Sequence, residues 1–180
     1  MNKFLFSLLT ISFISGAAYA GEANVTWQDP DKYTDIREGN ELREGFREKL
    51  FSDFELIFAD LAKQLPDGYL FEVSVTDVDL AGEVNRMNEM RGRSLENIRI
   101  VKNIYRPRIA FDYTLTNAAQ GLVVSGKEDI KDAAFLSSSG VGPGITRFGY
   151  EEKMLRNWFK KQQREKKFPV KDKPARKTPT

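Results

Sequence analysis

Apolar side chains between residues 42 and 65 fall at Leu42, Phe46, Leu50, Phe54, Ile57, Leu61 and Leu65, with Phe51 and Phe58 widening the stripe. Intervals of three and four put these side chains on one side of a helix. The run predicts a long helix that starts between residues 38 and 42, with Asn40 as a cap and Pro66-Asp67-Gly68 as its stop. Burying nine such side chains is worth on the order of 15–25 kcal/mol gross, so the helix requires a broad apolar surface to pack on.

Segments of period two supply that surface. Residues 71–80 are rich in Val and Thr. Residues 107–116 alternate strictly: Ile109, Phe111, Tyr113 and Leu115 face one way, and Arg108, Asp112 and Thr114 the other. A turn at 117–121 and a return over 122–130 make a hairpin. Val25-Thr26-Trp27 reads as a short first strand ended by the turn Asp29-Pro30-Asp31, and residues 98–101 as a further short strand. After Gly149 a second helix places Tyr150, Met154, Leu155, Trp158 and Phe159 on one face. The order β-α-β-β-β-α predicts an α+β two-layer sandwich, a mainly antiparallel sheet of about four strands with both helices on one face.

The N-terminus carries a different pattern. Met1-Asn2-Lys3 is short and positive, residues 4–14 are almost wholly apolar, and small residues lead to Ala18-Tyr19-Ala20. This is the layout of a cleavable signal peptide with cleavage after Ala20. An apolar core of about 11 residues is short of the roughly 20 that a permanent span needs. The expected organisation is a signal peptide over 1–20, one domain over 21–165 and a disordered basic tail over 166–180. The expected location is the periplasm, with no transmembrane segment in the mature form.

Composition narrows the chemistry. The chain has no cysteine and no histidine. Ser-His-Asp and Cys-His nucleophile systems are therefore excluded, as are zinc sites built from His and Cys and a lipid anchor on cysteine. What remains is carboxylate chemistry. In Val75-Thr76-Asp77-Val78-Asp79-Leu80, Asp77 and Asp79 are two apart on a strand and share a face. They are candidates for holding Mg²⁺ or Ca²⁺ or for sharing a proton, with Asp112 as a further member; the alternative is that they make turn hydrogen bonds. Trp27, Tyr33 and Arg108 are candidate binding residues. The Gly-rich stretch 137–144 lacks the Gly-Lys-Ser/Thr ending of a phosphate loop and reads as a connection. The long loop 80–97, with Arg86, Met87, Met90, Arg91 and Arg93, is a candidate binding surface. No cofactor is indicated.

Charge is polarised along the chain. Residues 160–180 hold nine Lys/Arg against two acids, and residues 22–96 hold nine basic against eighteen acidic side chains. The tail could engage an anionic envelope surface or merely keep the protein solvated. Export argues against nucleic acid as a partner.

Val25-Thr26-Trp27-Gln28-Asp29-Pro30, Tyr33-Thr34-Asp35-Ile36, Leu65-Pro66-Asp67-Gly68, the 75–82 segment and Tyr105-Arg106-Pro107-Arg108-Ile109 together resemble the bacterial family known as domain of unknown function 3016. Lys131-Asp132 and the helix from Tyr150-Glu151 to Trp158-Phe159 fit the same pattern. The resemblance implies an exported, envelope-associated protein of Gram-negative bacteria, without an activity and without catalytic residues to carry over. The leading expectation is a non-catalytic domain that binds another envelope component. The alternatives are a carboxylate-based metal-binding protein or hydrolase using Asp77 and Asp79, and a small-ligand binder using Trp27, Tyr33 and the Gly-rich stretch.

Overall fold

The computed structural model describes residues 21–37, 43–84, 99–137 and 147–171. Along the chain run β1 (Glu22–Trp27), a 3-10 turn (Pro30–Lys32), α1 (Arg43–Ala62), β2 (Tyr69–Asp79), β3 (Glu83–Val84), β4 (Arg99–Ile100), β5 (Arg108–Asn117), β6 (Gly121–Lys131) and α2 (Gly149–Arg164). The main sheet has the order β1-β2-β5-β6, and β3 with β4 forms a separate two-stranded sheet. The expected α+β sandwich is the fold observed.

β2 pairs antiparallel with β5, and β5 with β6. β1 lies parallel to β2, with Trp27 beside Val75, and α1 is the crossover that such a parallel pair needs. The short strand expected at 98–101 is β4, which joins β3 and not the main sheet. Asn40 and Leu42, the expected cap and first stripe residue, lie outside the described residues. α1 ends at Ala62, but the turn bonds Gln64 N–H to Leu61 O and Leu65 N–H to Ala62 O still deliver Leu65 to the core, fully buried.

The core is aromatic. Phe54 and Phe58 from α1, Phe71 and Phe111 from the sheet, and Phe159 from α2 are all but inaccessible. Phe111 meets Trp158 edge-on with ring centroids 5.0 Å apart, a favoured arrangement because ring edge and face carry opposite partial charge. Arg156 links the helices, bonding Asp60 at 2.7 Å and Glu152 at 2.9 Å.

The boundary expected at residue 165 falls too early. Lys166 takes a left-handed conformation with φ 59°, and the N–H groups of Lys167 and Phe168 both turn back to Gln162 O. This reversal satisfies carbonyls at the helix end and drops Phe168 into the core, 1 % exposed. Its ring sits 5.1 Å from Phe159 and 5.5 Å from Tyr113. Lys171 then donates its N–H to Gln64 O at 3.1 Å and its ammonium to Asp67 at 2.7 Å. Residues 166–171 are thus a strap of the domain. The rest of the expected tail, 172–180, lies outside the described residues.

Candidate functional site

Strict alternation along β2 would place Phe71, Val73, Val75, Asp77 and Asp79 on one face, beneath the helices. The structure avoids burying the two carboxylates there with a bulge between Val75 and Asp77. One extra residue reverses the parity of a strand. Val78 takes the core position, and Asp77 and Asp79 turn to the open face of the sheet.

There Asp77 is fully engaged. It accepts hydrogen bonds from Thr34 N and Oγ1, each at 2.7 Å, and from the guanidinium of Arg108. Arg108 also bonds both oxygens of Asp129, at 2.6 and 3.0 Å. Burial works against ionisation of Asp77, yet the Thr34 bonds and Arg108 outweigh it and hold the carboxyl below its usual range. Asp79 is the opposite case. Among the described residues no side-chain bond or ion pair reaches its carboxylate, and burial, followed by the charges of Asp35 and Asp77, pushes its pKa up. The two aspartates therefore stand together, as the spacing predicts, in unlike environments.

Three further charged residues close in on them. Asp35 bridges to Asp79 through the backbone, giving its N–H to Val78 O and taking Leu80 N–H, both at 3.0 Å. Its carboxylate accepts Arg99 at 3.0 Å and the Arg37 N–H at 3.0 Å. Arg99 also donates to Gly82 O at 2.9 Å and Arg37 O at 2.7 Å. A side chain on Gly82, at φ 90°, would press on Ile100 O at 2.9 Å, so glycine is what lets β4 come this close. From α2, the buried Glu151 accepts the Ala81 N–H at 2.7 Å. Burial pushes its pKa up, against the bonds from Ala81 and its own N–H and the charge of Arg99.

Sequence reasoning missed Asp35, Arg99 and Glu151 as members of this cluster. Glu151 carried a signal: it precedes Leu155, Trp158 and Gln162 at helical spacing, an acid on the apolar stripe of α2. Arg99 had none, because a two-residue strand has too little periodicity to place it.

Against the cluster, and lined in part by Asp35, Asp79 and Arg108, a cleft of about 380 Å³ opens between the 34–37 segment, the ends of β2, β5 and β6, and the approach to β5. Asp79, Ile104, Tyr105, Arg106 and Lys131 line it. Ile104 is 67 % exposed. Among the described residues no group of three or more His, Cys, Asp or Glu is placed to hold a metal ion.

The other candidates lie elsewhere. Asp112, also on the open face, is paired with Lys127 at 2.8 Å. Trp27 stacks on Phe51 at 4.1 Å and donates its indole N–H to Glu55. Tyr33 is buried, gives its hydroxyl to Val75 O at 2.8 Å, and has its pKa pushed up by that burial. Trp27 and Tyr33 are thus bound into the packing of β1 and β2. Residues 85–98 of the long loop and 138–144 of the Gly-rich stretch lie outside the described residues. No helix among the described residues is long and apolar enough to cross a membrane.

Residues 21–161 match a family model described as a protein of unknown function (DUF3016). No curated protein and no solved structure matches the chain.

Proposed function

The chain thus belongs to the DUF3016 family, and on that footing we propose that it is an exported, non-catalytic domain of the cell envelope that binds another envelope component through the cleft beside β5. The carrying observation is the cleft's composition. Its lining joins Tyr105 and the exposed Ile104 to the cations Arg106 and Lys131 and to the acids Asp35, Asp79 and Glu83, and Asp35 is tied to Arg99 within the domain. An exposed apolar side chain flanked by an aromatic and an arginine is the composition of a binding surface. The signal-peptide layout of residues 1–20 supports export to the periplasm, and the basic C-terminal run supports contact with an anionic envelope surface.

A photo-crosslinking residue at position 104, used in cells on the tagged full-length protein, tests this. The expected result is a discrete adduct that disappears with Arg106→Glu. Absence of any adduct from position 104 and from position 106 refutes the cleft as the binding surface.

A second reading rests on Asp79. A half-buried carboxylate with a raised pKa beside an ionised one is the arrangement of an acid/base pair. Hydrolytic activity of the purified protein that is lost in Asp79→Asn and kept in Ile104→Asp would establish it in place of the first.

A further inference from the structure

Gly21 follows the expected cleavage point and lies against the end of α1. A Cβ built on it would run into the Ala62 carbonyl oxygen and stand 3.0 Å from Leu65 Cβ. Only a residue without a side chain fits that approach. With standard bond lengths the Gly21 nitrogen then lies within about 6 Å of the Ala62 oxygen. The family match begins at the same residue.

Ala62 is the last residue of α1, at the end where the aligned peptide dipoles give a helix a partial negative charge. Helices commonly answer with Lys or Arg in the last turn; α1 has none within its bounds, and Lys63, the residue after Ala62, is exposed to solvent. The Ala62 oxygen accepts Leu65 N–H at 2.9 Å and keeps a second lone pair.

We infer that cleavage after Ala20 supplies a cation against the buried Ala62 carbonyl: it creates at Gly21 an α-ammonium beside the C-terminal end of α1, so that processing itself stabilises the folded domain. The inference rests on the export reading of residues 1–20. Water adds across the Ala20–Gly21 amide, the C–N bond breaks, Ala20 leaves as a carboxylate, and the Gly21 nitrogen takes up a proton. An α-amine with a pKa near about 8 is mostly protonated at neutral pH. Before cleavage the same nitrogen is an uncharged amide. The unprocessed chain therefore folds less stably than the processed one.

Three forms of the protein test this by thermal melting at pH 7: chain 21–180, chain 18–180, and chain 21–180 acetylated at its N-terminus. The expected result is that the extended and acetylated forms melt about 2–5 °C below the free one, and that the acetylated and free forms converge at about pH 10, where both are uncharged. Equal melting temperatures at pH 7, or a gap from acetylation that persists at pH 10 and so reflects bulk, overturn the inference. The N-terminal mass of the protein recovered from cells is a separate readout. Recovery of the chain with residues 1–20 still attached refutes the export reading and leaves the comparison of the three forms standing, and a cleaved N-terminus other than Gly21 overturns the inference.

Discussion

Glu151 separates two roles that a buried carboxylate can play, as a hydrogen-bond acceptor and as a charge. Its side chain is buried and accepts the N–H of Ala81, which is itself buried. Glu151→Ala strands that donor, at a cost of about 1–3 kcal/mol, and removes one buried methylene worth about 0.8 kcal/mol. The expected destabilisation is about 2–4 kcal/mol, a fall of about 5–15 °C in Tm for a domain of this size. Glu151→Gln keeps the acceptor and removes the charge, and should stay within about 1 kcal/mol of the wild type at pH 7. The sign of the pH effect follows from the raised pKa. Between the unfolded and folded values the native state binds more protons, so the contribution of Glu151 to stability increases as pH falls from neutral through the raised value and levels off below the ordinary carboxylate range, about pH 4. The glutamine variant lacks this contribution, so wild type gains on it as pH falls. Chemical denaturation of the three proteins at pH 7 and pH 4.5 reads both effects. A Glu151→Gln variant as unstable at pH 7 as Glu151→Ala would refute the reasoning, because it would show that the charge itself holds the site.

Asp79→Asn removes a carboxylate whose ionisation the fold opposes, so it should raise Tm at pH 7, with the gain shrinking toward pH 4; a lower Tm at pH 7 would mean that Asp79 is paired in solution. Phe168→Ala should cost about 3–5 kcal/mol, as loss of a core phenylalanine does, measured by urea denaturation, whereas truncation after Lys171 should leave stability within about 0.5 kcal/mol of the full chain. Arg108→Met releases Asp77 and Asp129 from their shared guanidinium. It should raise the pKa of both, measured by NMR titration; an Asp77 pKa that does not move would mean that Arg108 does not hold it.

The layers of the fold were legible because period and length agree over long elements: the stripe from Phe46 to Leu61 and the alternation from Arg108 to Leu115 each admit one reading. The site was half legible. The spacing of Asp77 and Asp79 puts them on one face, but which face depended on a bulge at Thr76 that no local residue preference announces. Trp27 and Tyr33 looked available for a ligand because aromatic side chains carry no sign in sequence of what they will pack on. The domain end was misplaced because Phe168 is one apolar residue in a run of Lys and Arg, and its burial depends on a left-handed Lys166, a conformation that composition does not indicate.

The strap has a consequence for how the domain is displayed. Gly21 meets α1 at Ala62 and Lys171 meets the chain at Gln64, so the first and last described residues emerge together at the start of β2. The cleft lies at the other end of that strand, whose eleven residues extend about 35 Å. A group attached to the chain beyond Lys171 therefore joins the domain at the end of β2 away from the cleft.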